Sequence, residues 1–308
     1  MARFLAWRLA ATLFVLLGVA AAVFTLMNTL PGDPATMLVS HFGASAKDIA
    51  ILREQLGLND PFLVRFLRFL GGALHGDLGK SFQQNRPVAR ILIENAWPTV
   101  ELALVSVGLA TVLGVFAGVA AAVRRGRWAD FLTMLVSLIG ISMPGFWLGL
   151  MLIYVFAVQL RWLPTGGSGT LAQLVMPSFV LAAFFAARVA RLTRSATLDV
   201  LGEEYIKTAR AKGLGEGRVV TKHTLRNSAI PIITLAGLEA GQLLGGAVIA
   251  ETIFAWPGLG RLTVQALLNR DFPVVMAAVS FTSIVYTLMN LAVDLSYGWL
   301  DPRVRVRA

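Results

Sequence analysis

Six stretches of this chain are apolar over the thickness of a bilayer, and almost no charge interrupts them. Leu9–Leu30 and Phe131–Leu160 carry none, Thr99–Val123 only Glu101, Ala229–Ala250 only Glu239, and Pro273–Leu300 only Asp294. Leu171–Ala187 is shorter and ends at Arg188. A hydrocarbon core of about 30 Å is crossed by roughly 20 apolar residues in a helix. In that medium the backbone must bond to itself, so helices and closed barrels are the only spanning forms. The expected fold class is an all-α membrane protein with six transmembrane helices. Charged residues make up 14% of the chain, against about 25% in ordinary globular domains, which argues against a soluble protein.

Lysine and arginine set the expected orientation. Arg3 and Arg8 precede the first run, and Arg124, Arg125 and Arg127 separate the second from the third. Nine cations lie between Arg188 and Arg226, and Arg303, Arg305 and Arg307 follow the sixth run. The opposite side has only Arg161 in one loop and Arg261 and Arg270 in another. Both termini are therefore expected in the cytoplasm. The first run exceeds the 7–15 apolar residues of a cleaved signal and reads as a retained helix. The loop that follows is too long for the charge rule and falls outside by parity. Within it Ile49, Leu52 and Leu56 share one helical face of 46–56, and Leu63, Phe66, Leu67 and Leu70 form a second stripe. The expected organisation is residues 1–30 as cytoplasmic N-terminus and first span, and 31–97 as a small extracytoplasmic cap. Residues 98–300 form a five-helix core with a cytoplasmic loop at about 188–228, and 301–308 a cytoplasmic tail.

Several chemistries are excluded. There is no cysteine, so disulfides, thiolate metal sites and cysteine nucleophiles drop out. His41, His75 and His223 lack metal-ligand spacing. Gly79-Lys80-Ser81 suggests a phosphate-binding loop, but the glycine required five residues earlier is Leu74. The net charge of +10 flanks apolar runs rather than forming a nucleic-acid face. No enzyme motif is found, so an energy source has to come from another chain.

An intramembrane carboxylate is costly and is a functional candidate by default. Glu239 is the deepest, and two roles fit it: a wall residue of an aqueous path meeting a substrate ammonium, or a hydrogen-bonded link between helices. Gly237, Gly241 and Gly245 on the same run, and Ala110, Gly114, Gly118 and Ala122 on the second, are small-residue repeats for close helix packing. That packing is within the chain or across a dimer. Glu101 and Asp294 lie nearer span ends and read as structural. Pro144, within Ser142-Met-Pro-Gly-Phe-Trp147, is expected to kink the third span. Glu239, Gln242, Pro144 and Phe146 are the candidate path residues.

The loop between the fourth and fifth runs is the most unusual part. Leu198, Leu201, Tyr205 and Ala209 recur at helical spacing beside Ile206, and Glu203 precedes Lys207 by four residues. Gly213 supplies a helix stop, and a second short helix is expected over 216–227, before Pro231. Acids and bases are mixed along it and its apolar stripe is narrow. It fits a shallow groove on a soluble partner better than anionic lipid.

The order Tyr205-Ile-Lys-Thr-Ala-Arg-Ala-Lys-Gly213-Leu214 resembles the coupling loop of ATP-binding-cassette importer permeases, and more narrowly that of dipeptide and oligopeptide importers. Leu30-Pro-Gly-Asp-Pro34, Gly76-Asp-Leu-Gly-Lys-Ser81, Ser142–Trp147, Glu251-Thr-Ile-Phe-Ala-Trp-Pro-Gly-Leu-Gly-Arg-Leu262 and Leu300-Asp-Pro-Arg303 support it in order. Counted from Gly213, the general family's Glu-Ala-Ala falls on Lys207-Thr208-Ala209, and its late Ile and Pro fall on His223 and Arg226, while Leu225 agrees.

The resemblance implies a type I importer transmembrane subunit in a bacterial inner membrane. It implies a second homologous permease, two cytosolic ATPases holding ATP and Mg²⁺, and an extracytoplasmic solute-binding protein, with no cofactor on this chain. Glu203, Glu204, Tyr205, Lys207, Thr208, Ala209, Arg210, Lys212, Gly213 and Leu214 would then meet the ATPase. Trp256, Pro257, Gly258 and Arg261 would form an outer gate or binding-protein contact. Two rivals are an ion-coupled secondary transporter using Glu239, and a receptor or scaffold that carries nothing.

Overall fold

Where apolar sequence runs without interruption, the chain folds into long helices. The computed structural model describes residues 2–29, 36, 46–55 and 57–300. Its elements in order are α1 (Ala2–Thr29), α2 (Ala46–Gln55), α3 (Phe62–Leu74), α4 (Val88–Val123), α5 (Trp128–Ser142) and α6 (Gly145–Leu152), which continues as a π-helical Ile153–Gln159. Then come α7 (Leu171–Leu201), α8 (Glu204–Ala211), α9 (Glu216–Arg218), a π-helical Val219–Thr224, α10 (Leu225–Ile253), α11 (Leu259–Leu268) and α12 (Phe272–Leu300). Among the described residues the only pairing of extended backbone is an isolated bridge between Lys80 and Pro87.

Three helical stretches among the described residues are long and apolar enough to cross a membrane: Val88–Val123, Leu171–Leu201 and Phe272–Met289. A fourth is α5 with the segment Gly145–Gln159, bent by 104°. That bend is far more than the expected kink. Met143 precedes a proline and is pushed into extended backbone (φ −82, ψ 124), and Pro144 follows with ψ 129. The helix ends and restarts there instead of tilting as one rod.

Two prolines read as boundaries lie inside helices instead. Pro98 is the eleventh residue of α4 and Pro231 the seventh of α10. Spanning helices tolerate proline because neighbouring groups re-satisfy the freed backbone. The helix expected to stop before Pro231 therefore runs on from the 219–224 turn into the fifth apolar run. Likewise α7 does not end at Arg188 but continues to Leu201.

The chain divides into two compact units, Met1–Trp97 with Gly258–Thr287, and Pro98–Pro257 with Leu288–Ala308. In the first unit the apolar core joins Val88, Ile91 and Leu92 to Leu259, Leu262 and Ala266 and to Phe272, Val274 and Ala278. Residues 258–287, assigned to the permease core by sequence, group here with the N-terminal segment. Phe24 of α1 is buried among the rings of Phe62, Phe66 and Phe69 of α3 at 5.2–5.9 Å. Burying a phenylalanine is worth about 1.5–3 kcal/mol, and this cluster ties α3 to α1 through Phe62, Phe66 and Phe69; of the expected stripe only Phe66 takes part, while Leu63 and Leu67 are exposed. Asp271 closes the other side. It accepts from Ser81 Oγ at 2.5 Å and from the backbone N–H groups of Phe82 and Gln83 at 3.0 and 3.3 Å. The Gly-Lys-Ser stretch that imitates a phosphate loop is thus held by a buried carboxylate.

In the second unit α7 packs between α5 and α10, with α4 against its other turns. A Cβ on Gly114 would lie 2.6 Å from Val189 Cβ and 2.8 Å from the Ala186 carbonyl, and one on Gly118 2.5 Å from the Ala190 carbonyl. The small-residue repeat of α4 is therefore used within the chain. Gln173 caps α7 by accepting from the Thr170 N–H at 3.0 Å, half of a capping box. The Gly166-Gly167 turn closes on the end of α10: Gly167 N–H donates to the Phe254 carbonyl at 2.8 Å, and a Cβ on Gly166 would sit 2.2 Å from that oxygen.

Candidate functional site

The segment 203–214 is built on one short helix that the sequence closes at both ends. Glu203, with ψ 147, precedes α8 as its N-cap residue, and Glu204 sits in the first turn, where a carboxylate suits the helix dipole. Arg210 occupies the last turn. Gly213 then takes φ +81, and the Leu214 N–H reaches back to the Ala209 carbonyl at 3.3 Å. That is a Schellman-type ending, which glycine supports without strain.

Ile206 and Ala209 form the buried face of α8 and pack toward the π-helical turn, where Val219 and Thr224 are fully buried. Glu204, Lys207, Thr208, Arg210, Lys212 and Gly213 are exposed, and Leu214 is half-buried. The expected stripe of Leu198, Leu201, Tyr205 and Ala209 is not one face, because α7 stops at Leu201 and Glu203 restarts the chain in extended backbone. Tyr205 is exposed, and its hydroxyl accepts from Asn227 Nδ2 at 2.7 Å. The expected Glu203–Lys207 pair is replaced by Lys207 with Glu204 at 2.6 Å, three residues apart and solvent-exposed. Such a pair contributes at most about 1 kcal/mol.

A tighter clamp joins the two short helices. Arg210 Nε and Nη2 donate to the two oxygens of Glu216 at 2.6 and 3.2 Å. This hydrogen bonding holds the Glu216 carboxyl below its ordinary pKa and raises that of Arg210. Sequence reasoning missed both Glu216 and Asn227, since neither lies at a regular helical spacing from its partner. Beside the clamp, a cleft of about 840 Å³ runs between Val112, Val115, Phe116 and Val119 of α4 and the Gly217–Leu225 stretch.

Glu239 lies at the middle of α10 and is 4% exposed. Its Oε1 accepts from Arg188 Nη1 at 2.8 Å, while Oε2 is buried without a hydrogen-bond partner. The Arg188 guanidinium lies over the Phe184 ring, 4.8 Å from its centroid. Counted from sequence as a loop cation, Arg188 instead belongs to the helix bundle. Six residues on, Arg194 binds Asp130 of α5 through two bonds of 2.5 and 2.8 Å, and the Gly126 N–H adds a third to the same carboxylate at 3.0 Å. Both pairs escaped the sequence reading, which sees spacing along the chain but not across helices.

The remaining candidates are scattered. Pro144 stands at the α5–α6 break, and Phe146 is exposed on α6. Gln242 and Asp294 lie outside the residues whose side chains are described, as do Leu30–Pro34 and Asp301–Arg303. Trp256 is 2% exposed, packed with Leu102, Leu174, Leu243 and Ala250, and its Nε1 donates to the Pro98 carbonyl at 2.9 Å. Its indole is used inside its own unit. Glu251 beside it is fully buried and accepts from Thr99 Oγ1 at 2.6 Å. Pro257 and Gly258 lead into α11, where Arg261 is half-buried.

Residues 110–306 match the family of binding-protein-dependent transport system inner membrane components, and residues 1–103 match the N-terminal part of such membrane components. The glutathione transport system permease protein GsiC of Escherichia coli O6:H1 (strain CFT073) is 44% identical over 296 residues, covering 96% of this chain and 95% of its own. GsiC of Salmonella paratyphi A is 44% identical over 300 residues, 97% of this chain and 98% of its own. Among solved structures, the MetNI methionine ABC transporter in an inward-facing conformation aligns with TM-score 0.57 at 22% identity, over 68% of this chain and 96% of that one. An amino acid ABC transporter crystallised with histidines aligns with TM-score 0.55 at 16% identity, over 68% and 94%. At these identities the two structures speak to the fold alone.

Proposed function

The chain belongs to the family of binding-protein-dependent transport system inner membrane components, and from that premise we propose that it imports peptides or a small peptide-like solute across a bacterial inner membrane. It is a multi-pass membrane protein and a translocation subunit of an ATP-binding-cassette importer. Six spans with both termini in the cytoplasm complete the architecture. The mostly helical fold and the cation distribution support that count and orientation.

The chain itself hydrolyses nothing. Two cytosolic ATPases carrying ATP and Mg²⁺ dock on the segment 203–214, a second homologous permease closes the path, and an extracytoplasmic binding protein delivers the cargo. The observation that carries this reading is the construction of α8. Ile206 and Ala209 anchor it, Gly213 ends it sharply, the Arg210–Glu216 clamp stiffens it, and its polar face is left to a partner. A stiff helix seated in an ATPase groove converts closure of the nucleotide dimer into rigid-body rocking of the spans. The curated relatives named for glutathione transport support a peptide-like cargo. The ion-coupled alternative has no observation in its favour, since Glu239, its coupling group, is held by Arg188.

The test is Gly213→Val in proteoliposomes containing both permeases, the ATPases and the binding protein. A β-branched residue at φ +81 strains the turn by about 1–2 kcal/mol or more. Uptake is expected to fall at least about tenfold while membrane insertion and ATP hydrolysis persist. Unchanged uptake refutes the coupling assignment. Uptake driven by a proton gradient without ATP revives the ion-coupled rival.

A further inference from the structure

The turn between α4 and α5 gathers cations that the transport reading leaves unused. The Arg127 N–H donates to the Arg124 carbonyl at 3.0 Å. These two arginines are therefore the ends of one four-residue turn and lie within about 7 Å of each other. Gly126 takes φ +74 inside it, and its N–H donates to Asp130 Oδ2 at 3.0 Å, which pins the turn to the start of α5. Arg124, Arg127, Trp128, Phe131 and Met134 line a cleft of about 910 Å³ there. Asp130 and Arg194 complete its wall, but they neutralise each other through two hydrogen bonds. The side chains of Arg124 and Arg127 are exposed and make no ion pair or hydrogen bond among the described residues. The cleft is left with two unbalanced cations.

Next to the cations the surface turns apolar. Trp128 is 76% exposed and Phe131 58%, and their rings meet edge to face at 5.8 Å. Leu135 and Leu138 follow, also exposed. At this spacing the four side chains share one face of the helix. From Trp128 to Leu138 that face runs about 15 Å at 1.5 Å per residue, half of a hydrocarbon core of roughly 30 Å. Cations, then an aromatic pair, then aliphatic side chains to one leaflet's depth match a phospholipid from its phosphate to its acyl chain. An acidic protein surface would answer the arginines but not the exposed rings and leucines.

We propose that the α4–α5 turn is a binding site for an anionic phospholipid. Its phosphate lies between Arg124 and Arg127, and one acyl chain runs along Trp128, Phe131, Leu135 and Leu138. Guanidinium forks suit the oxygens of a phosphodiester better than lysine ammoniums do. A lipid held there joins the leaflet to the start of α5 and, through Asp130 and Arg194, to α7. The inference rests on α4 and α5 lying in a membrane, and not on the cargo or on the segment 203–214.

The test is native mass spectrometry of the complete importer, stripped of native lipid in detergent and titrated with phosphatidylglycerol. The unaltered complex is expected to retain one such molecule per copy of this chain against about a tenfold excess of phosphatidylcholine. Arg124→Gln/Arg127→Gln, which leaves the Asp130–Arg194 pair in place, is expected to lose it. Arg218→Gln/Lys222→Gln removes the same charge elsewhere in the chain and is expected to keep it. Absence of that lipid from the unaltered complex, its retention in the first variant, or its equal loss in both overturns the site. Displacement of the lipid by inorganic phosphate reassigns the arginines to a free anion and also overturns it. Because the chain has no cysteine, Phe131→Cys gives a single thiol that reads the same face independently. Its alkylation by a lipid-soluble but not a water-soluble maleimide supports the assignment, and its cross-linking to a second permease or an ATPase overturns it.

Discussion

Two arginines on α7 meet carboxylates on neighbouring helices, and the two contacts are built differently. Near the end of the helix Arg194 spends both edges of its fork on Asp130, and the Gly126 N–H adds a third bond to the same carboxylate. About 9 Å nearer the helix start, at 1.5 Å per residue, Arg188 Nη1 donates to Glu239 Oε1 at 2.8 Å, and the second carboxylate oxygen is buried without a partner. The glycine contacts of α4 are tight beside both, with Gly118 against Ala190 and Thr193 and Gly114 against Ala186 and Val189. Packing does not separate the two sites; hydrogen-bond satisfaction does. A carboxylate with every oxygen engaged fixes one helix to another, whereas a half-engaged one makes a weaker link.

The largest expected effect would come from removing the acid of each pair in turn. Asp130→Ala strands Arg194, whose side chain is only 27% exposed, and breaking a buried pair costs about 3–5 kcal/mol. Glu239→Ala takes a carboxylate from an arginine whose side chain is 40% exposed, and its cost is expected to be about 1 kcal/mol. Thermal midpoints of the purified complex measure both. Equal losses erase the distinction between a lock and a weaker link. A loss confined to Asp130→Ala sharpens it.

A middle-sized effect separates packing from charge. Gly118→Ala places a Cβ 2.5 Å from the Ala190 carbonyl, backbone that cannot swing aside, and overpacking of this kind costs about 1–3 kcal/mol. Gly108→Ala, on the same helix with nothing within 4 Å, is expected to be neutral or to gain about 0.5–1 kcal/mol through helix propensity. If both alanines behave alike under thermal denaturation, the close approach of α4 to α7 does not hold this end of the bundle together.

The sequence made some of this legible and concealed the rest for physical reasons. The long apolar runs foretold the helices at Val88–Val123 and Leu171–Leu201, because composition alone sets hydrocarbon preference. Gly213 was legible as a stop because few other residues take φ +81 at so little cost. Arg188 was misplaced because counting cations at span ends cannot see a carboxylate 51 residues away. Pro98 and Pro231 look like boundaries wherever water competes for the freed carbonyl, and inside a bundle they are not. Pro144 differs from them because Met143 before it is extended, so the chain turns by 104°. The motif around Trp256 drew attention as a surface element, yet its indole is buried and bonded to Pro98. Recurrence of a motif marks a constraint without saying whether packing or a partner imposes it.

The smallest effect concerns another carboxylate–arginine contact, Glu216 with Arg210, which is bidentate like the Asp130 pair yet exposed. Its two bonds depress the Glu216 pKa below the ordinary 4.5. A carboxyl whose folded pKa lies below its unfolded value adds stability that is fully present above the unfolded pKa. That contribution drains away as pH falls through the folded one. Order in the 204–218 segment is therefore expected to be flat from neutral pH down to about 5 and to weaken below about 4.5. Because both side chains are largely in water, the change is local and leaves the spans untouched. Hydrogen exchange of the α8 amides across that range measures it, with Glu216→Gln as the comparison. In that variant the acid-dependent step should vanish and the neutral-pH exchange should already be raised. If wild type and variant lose protection together as pH falls, the clamp does not order the segment. Bidentate geometry in solvent would then count for little, and burial, which separates Asp130 from Glu216, would be the quantity that makes such a contact a lock.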